Sequence, residues 1–173
     1  MGSYLNPGSD LFEMALRSQI FVDKSGLIEK TNRCVRTLQR YICVSRPRRY
    51  GKSMGVDMLA AYYDRSVDTK NLFQELKISS TEEYEKHLNQ YDVLKINMQE
   101  FLSATENIDQ MFRMLNEYLI FDLKEQYGQV RFRDESNLVQ VMKDIYSYTR
   151  HPFVILIDDT IYSLLRLEPQ RMR

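Results

Sequence analysis

The sequence predicts an α/β fold with a largely parallel sheet, and three observations carry that prediction. Apolar runs of strand type recur at residues 41–44, 92–98 and 153–157. Segments of helical period separate them, which is the alternation expected when strands run parallel and helices cross between them. A length of 173 residues with 43% hydrophobic residues suits one buried core.

Taken in order, Asn6-Pro7-Gly8-Ser9 reads as a turn, with Ser9 or Asp10 capping a short helix through Leu16 by accepting first-turn amides. Ile20-Phe21-Val22 reads as extended, and a second short helix is expected from Ser25 to about Asn32. Residues 41–44 follow as a strand covered on both faces. Met54, Met58, Leu59 and Tyr62 recur at helical spacing, so a helix over 52–63 with one buried stripe is expected. Val93, Leu94, Ile96 and Met98 mark the 92–98 strand. Ile108, Met111, Phe112, Leu115, Leu119 and Leu123 mark a long amphipathic helix, and Leu138, Val141, Met142 and Ile145 mark another. Phe153-Val154-Ile155-Leu156-Ile157 is the most apolar strand, and residues 160–173 have the pattern of a short helix, with Ile161, Leu164, Leu165 and Leu167.

Charge and composition narrow the function classes. The 24 Lys and Arg cancel the 24 Asp and Glu, so no global basic field draws the chain to nucleic acid or anionic lipid. No apolar run approaches the roughly 20 residues of a membrane span, and the first 20 residues lack a signal peptide's apolar stretch, so no membrane partner and a cytoplasmic location are expected. Cys34 and Cys43 form no CxxC and stand far from His87 and His151, which argues against a zinc site and leaves them as buried small hydrophobes.

The informative segment is Ser45-Arg46-Pro47-Arg48-Arg49-Tyr50-Gly51-Lys52-Ser53, because Gly-Lys-Ser follows an apolar strand and opens a helix. That context is what a phosphate-binding loop requires: helix-start amides and the positive end of the dipole attract phosphate oxygens. Gly51 allows close backbone approach, Lys52 would reach the β and γ phosphates, and the Ser53 hydroxyl would coordinate Mg²⁺. Arg46 stands where the common loop has glycine, and Arg46, Arg48 and Arg49 add positive charge beside the phosphates. With Arg36 or Arg40 the same arginines could form a nucleic-acid patch, although interleaved aromatics and further basic clusters are missing.

A second motif lies downstream, where the 153–157 strand ends in Asp158 and Asp159. A strand-end aspartate beside the loop serine can hold the hydration shell of Mg²⁺, and the following acid can orient or deprotonate an attacking water. Neighbouring strand residues point to opposite faces, so the two need not act as one pair.

On these residues the sequence resembles the bacterial predicted AAA-ATPase-like proteins, whose members often carry a PD-(D/E)XK nuclease-like region after the ATPase. The matching stretches are residues 21–28, the loop at 45–54, residues 72–78 and the strand at 153–158; the likeness covers nearly all of 4–158. It accounts for Arg46, since the family itself has arginine there. It implies a three-layer P-loop NTPase-like fold and an ATP and Mg²⁺ site. In that site Gly51, Lys52 and Ser53 are the Walker A contacts, and Asp158 is the Walker B partner of the metal. Asp23 and Lys24 match a family signature to which sequence alone assigns no role.

The likeness implies one unit over 1–173: an N-terminal extension at 1–40, a core at 41–158 and a divergent tail at 159–173. The departure begins at Asp159, where the family has glutamate, so hydrolysis by the chain is expected to be weak or absent, with Lys52 and Asp159 as the catalytic pair if it occurs. Nucleotide binding without turnover, or a nucleic-acid-associated role beside a nuclease, are the alternatives. The likeness also implies a later strand between those at 41–44 and 153–157, and the sequence after 159 supplies none. A domain incomplete at its C-terminus is therefore expected, with exposed strand edges and a second copy or a partner chain completing the sheet.

Overall fold

Helices fill the first half of the described chain, two strands follow with helices between them, and the parallel pairing of those strands fixes the layout. The structure is a computed structural model that describes residues 2–45 and 50–158. The described elements are α1 (Asp10–Leu16), α2 (Gly26–Cys34), α3 (Lys52–Tyr63), α4 (Lys70–Phe73), a 3₁₀ turn (Lys77–Ser80), α5 (Tyr84–His87), β1 (Asp92–Asn97), α6 (Met98–Ala104), α7 (Ile108–Gln126), α8 (Leu138–Thr149) and β2 (Phe153–Asp158).

β1 and β2 pair in parallel, from Asp92 opposite Phe153 to Asn97 opposite Asp158. Parallel neighbours need a long crossover, and α6, α7 and α8 supply it. The strand alternation then divides the core. Val93, with Val154 and Leu156 of β2, packs into a cluster with Phe12, Ile28, Met58 and Phe73. Leu94 and Ile96 face the other way, into a cluster with Phe101, Met111, Leu119, Leu123 and Ile145. The two-strand sheet thus lies between a layer formed by α1 to α5 and a layer formed by α6 to α8.

The outer edge of β1 is covered by the N-terminal segment. Leu5 bridges Leu94 in antiparallel sense; the Lys95 amide donates to the Tyr4 carbonyl over 2.9 Å, and the Asn6 amide to the Val93 carbonyl over 2.7 Å. Asp122 of α7 accepts the Tyr4 and Leu5 amides at 2.6 and 3.2 Å, so this segment is tied to the sheet and to a helix at once. On the other side, β2 has no strand partner at its outer edge among the described residues.

Several expectations need correction. Residues 41–44 form no strand: Tyr41, Ile42 and Val44 are exposed and pair with no ladder. The physical reason is spatial, because a cavity lies between this segment and the edge of β2, and a ladder requires neighbours about 4.8 Å apart. Cys43 shares that exposure, and Cys34 is half-buried, so neither is the buried hydrophobe expected. Residues 20–22 join no sheet either. Met98 opens α6 instead of ending β1, since Asn97 accepts the Gln99 amide and caps the helix there. Ser9 stands at the start of α1 without capping it; its hydroxyl donates to Glu13 at 3.0 Å.

The 52–63 helix forms as expected but is buried more widely than one stripe: Met58 through Tyr63 are all buried. Among the described residues no helix is long and apolar enough to cross a membrane.

Candidate nucleotide site

α3 opens on Gly51, whose φ of 71° and ψ of 39° lie in the left-handed region. A side chain there would be strained, so glycine is what lets the backbone turn into the helix at that point. The Gly55 amide donates to the Gly51 carbonyl over 3.1 Å and closes the first helical bond. No side chain caps α3 and no acid lies in its first turn, whereas Asn107 and Asn137 each accept an amide at the starts of α7 and α8. The first-turn amides of α3 and the positive end of its dipole are therefore open to an anion.

The sequence-predicted residues come together in part. Lys52 is half-buried and Ser53 exposed at the head of α3, and Asp158 ends β2. Lys52 and Asp158 line one cavity of about 560 Å³ whose body is apolar, walled by α2, α3, residues 41–44 and β2. Among the described residues neither Lys52 nor Asp158 takes part in an ion pair. Asp57, the one acid of α3, is already matched by Lys95 of β1. Arg46, Arg48, Arg49 and Asp159 lie outside the described residues.

The nearby basic residues are engaged within the chain. The Arg36 guanidinium lies over the Tyr91 ring, 5.5 Å from its centre, and that of Arg40 lies over Tyr41 at 5.3 Å. For a metal, no cluster of three or more His, Cys, Asp or Glu side chains occurs among the described residues. The Ser53 hydroxyl and the Asp158 carboxylate are hard oxygen donors, and Mg²⁺ commonly takes one or two protein oxygens and completes its shell with phosphate and water. Both are donors of the kind Mg²⁺ takes; Asp158 lines the cavity and Ser53 is not among its lining residues.

One group at the site was not assigned from the sequence. Asp23, Lys24 and Ser25 form a tight turn before α2, in which the Ser25 amide donates to Asp23 Oδ1 over 2.8 Å. Asp23 Oδ2 accepts the Lys77 amide at 3.0 Å, and the buried Ser25 Oγ accepts the Ile78 amide at 3.1 Å. Lys24 Nζ reaches the loop and donates to the Tyr50 carbonyl over 2.7 Å. Partial burial by itself raises the Asp23 pKa, but the Lys77 and Ser25 amides, the Ser25 hydroxyl and the Lys77 ammonium outweigh it and hold the carboxyl below its ordinary range.

No curated protein and no solved structure matches the chain. The model of the AAA-ATPase-like family, described as a predicted AAA-ATPase, matches residues 9–165. That span takes in the turn at Asp23, the head of α3 and the Asp158 end of β2, and it leaves only short terminal stretches of the 173 residues outside. The chain belongs to the AAA-ATPase-like family.

Proposed function

We propose that this chain binds ATP with Mg²⁺ at the head of α3. The observation that carries the reading is that Lys52, at the start of an uncapped helix, and Asp158, at the end of β2, face one cavity, in a chain of the AAA-ATPase-like family. In this reading the amides that follow Gly51 hold phosphate oxygens, and Lys52 sets its ammonium on the β and γ phosphates. Ser53 and Asp158 supply oxygens to Mg²⁺. Arg46, Arg48 and Arg49 add charge-assisted hydrogen bonds, which are stronger than neutral ones.

Calorimetric titration of ATP in the presence and absence of Mg²⁺ tests the reading. Lys52→Ala is expected to lower affinity by about 100-fold, as loss of a charged contact to a polyphosphate would. Asp158→Asn is expected to remove only the Mg²⁺-dependent part. Indistinguishable titrations of wild type and Lys52→Ala would refute the proposal.

Turnover is a separate matter, and Asp159 bears on it. An in-line attack needs a water held by the acid after Asp158, and aspartate in place of glutamate draws that carboxylate back by roughly 1 Å, a displacement that can cost about 100-fold in rate. The chain is therefore read as a nucleotide binder with slow hydrolysis. Phosphate release that is fast in wild type and abolished in Lys52→Ala would make it an efficient ATPase instead.

A further inference from the structure

We propose that Lys24 is a positioning residue of the nucleotide loop: from a turn anchored to the body of the protein it holds the Tyr50 carbonyl, and so fixes the Tyr50–Gly51 peptide that leads into α3. The proposal rests on the nucleotide reading given above.

The base from which Lys24 reaches is rigid. Its own carbonyl accepts the Leu27 amide at 2.9 Å, and that of Ser25 accepts the Ile28 amide at 2.9 Å, so both carbonyls are built into the first turn of α2. The side chains of Asp23 and Ser25 carry the turn across to the backbone of Lys77 and Ile78. With the backbone of Lys24 fixed in this way, only its side-chain torsions remain to be ordered when Nζ meets the Tyr50 carbonyl.

At the other end the contact is close and specific. Nζ lies 2.7 Å from the Tyr50 oxygen, and a Cβ built on Gly51 would fall 2.4 Å from Nζ, so the ammonium occupies the space that any side chain at 51 would need. The peptide joining Tyr50 to Gly51 is planar and trans. Fixing its carbonyl toward Lys24 therefore directs the Gly51 N–H the opposite way and stops the peptide from turning over. Glycine at a φ of 71° offers no steric resistance to such rotation, so an external restraint is required if the loop is to be ordered before nucleotide arrives. An ammonium suits the task, because a charge-assisted bond to a carbonyl is stronger than a neutral one and the remaining N–H groups of Nζ add positive charge beside the loop.

The test compares wild type, Lys24→Met, Lys24→Arg and Lys52→Ala by ATP calorimetry, by thermal melting, and by amide hydrogen exchange of residues 50–54 without nucleotide. Lys24→Met keeps the length of the stem and removes the donor. It is expected to lower ATP affinity by about tenfold or more and to speed exchange of the loop amides by about tenfold, while the melting temperature stays close to that of wild type. Lys24→Arg restores most of both.

Lys24→Met that matches wild type in affinity and exchange while Lys52→Ala loses binding would overturn the positioning role and leave the nucleotide reading intact. Weaker binding with unchanged exchange would make Lys24 a direct phosphate contact and also overturn it. A large fall in melting temperature that arginine does not rescue would reduce Lys24 to a structural residue. If wild type itself fails to bind ATP while Lys24→Met still frees the loop amides, the nucleotide reading falls and the restraint on the loop stands.

Discussion

Asp23 shows how one carboxylate can tie a turn to a distant segment of backbone. Its two oxygens take backbone N–H groups from opposite sides, Ser25 within the turn and Lys77 beyond α4, and the resulting pKa lies below the ordinary carboxylate range. A depressed folded-state pKa means that the folded protein binds fewer protons than the unfolded chain in the window between the two values. The stabilisation is then complete above about pH 4, the ordinary value for aspartate, and is lost as pH falls through the folded one. Asn at this position cannot ionise. The difference in melting temperature between wild type and Asp23→Asn is therefore expected to be largest near neutrality and to shrink below about pH 4. Melts from pH 7 down to about pH 3 check this, and a constant difference would count against it. At this scale the sequence was partly legible. Gly51, Lys52 and Ser53 are adjacent, and the helix whose start they mark in the sequence does open there. The partners of Asp23 and Lys24 stand 54 and 26 residues away, at Lys77 and Tyr50, and no local spacing records a contact of that range.

Among the elements, α2 and α3 are joined by a buried polar network that keeps α3 in place. The Tyr63 hydroxyl donates to Asn32 Oδ1 over 2.7 Å, Asn32 Nδ2 donates to the Tyr62 hydroxyl over 2.9 Å, and Tyr62 donates in turn to the Tyr84 carbonyl over 2.6 Å. Burial raises the pKa of both phenols well above the ordinary value, so they remain donors at any working pH. Asn32→Ala leaves buried polar groups short of a partner and is expected to destabilise by about 2 kcal/mol. For a chain of this size that lowers the melting temperature by roughly 4–8 °C. Chemical denaturation of Asn32→Ala, Tyr63→Phe and the double variant checks it. The pair is expected to couple by about 0.5 kcal/mol or more, and strict additivity would show that the network acts as separate bonds.

The helices α3, α7 and α8 were legible because an apolar period is written locally along the chain, and α1 and α2 were expected as short helices through Leu16 and from Ser25 to about Asn32. The one-turn helices α4 and α5 carry no full period and left no such sign. Residues 41–44 misled for the converse reason: Tyr41-Ile42-Cys43-Val44 has the composition of a strand, but a strand also requires a neighbour, and the structure places a cavity where that neighbour would be.

For the molecule as a whole, the side of the sheet that is unpaired among the described residues is the feature that bears on its state in solution. Tyr4, Leu5 and Asn6 occupy the outer edge of β1, so that edge is closed. The outer edge of β2 is unpaired among the described residues, and Ile155 and Ile157, alternate residues of the strand, are 50% and 57% exposed. An apolar strand with unpaired amides and carbonyls is a template for pairing with another chain, because each added ladder bond satisfies two backbone groups and each buried isoleucine adds apolar contact. Val154 and Leu156 face the core, so lysines at 155 and 157 can burden the exposed face without emptying the buried one. The wild-type chain is expected to associate with itself as concentration rises, and the double variant Ile155→Lys/Ile157→Lys to run as a monomer with the same circular dichroism spectrum. Size-exclusion chromatography with light scattering over a concentration series measures this directly. A wild type that stays monomeric throughout and melts in one sharp transition above about 55 °C, within the ordinary range for such domains, would show that the edge of β2 is satisfied within a single chain. Association that the two lysines leave unchanged would place the contact on another surface.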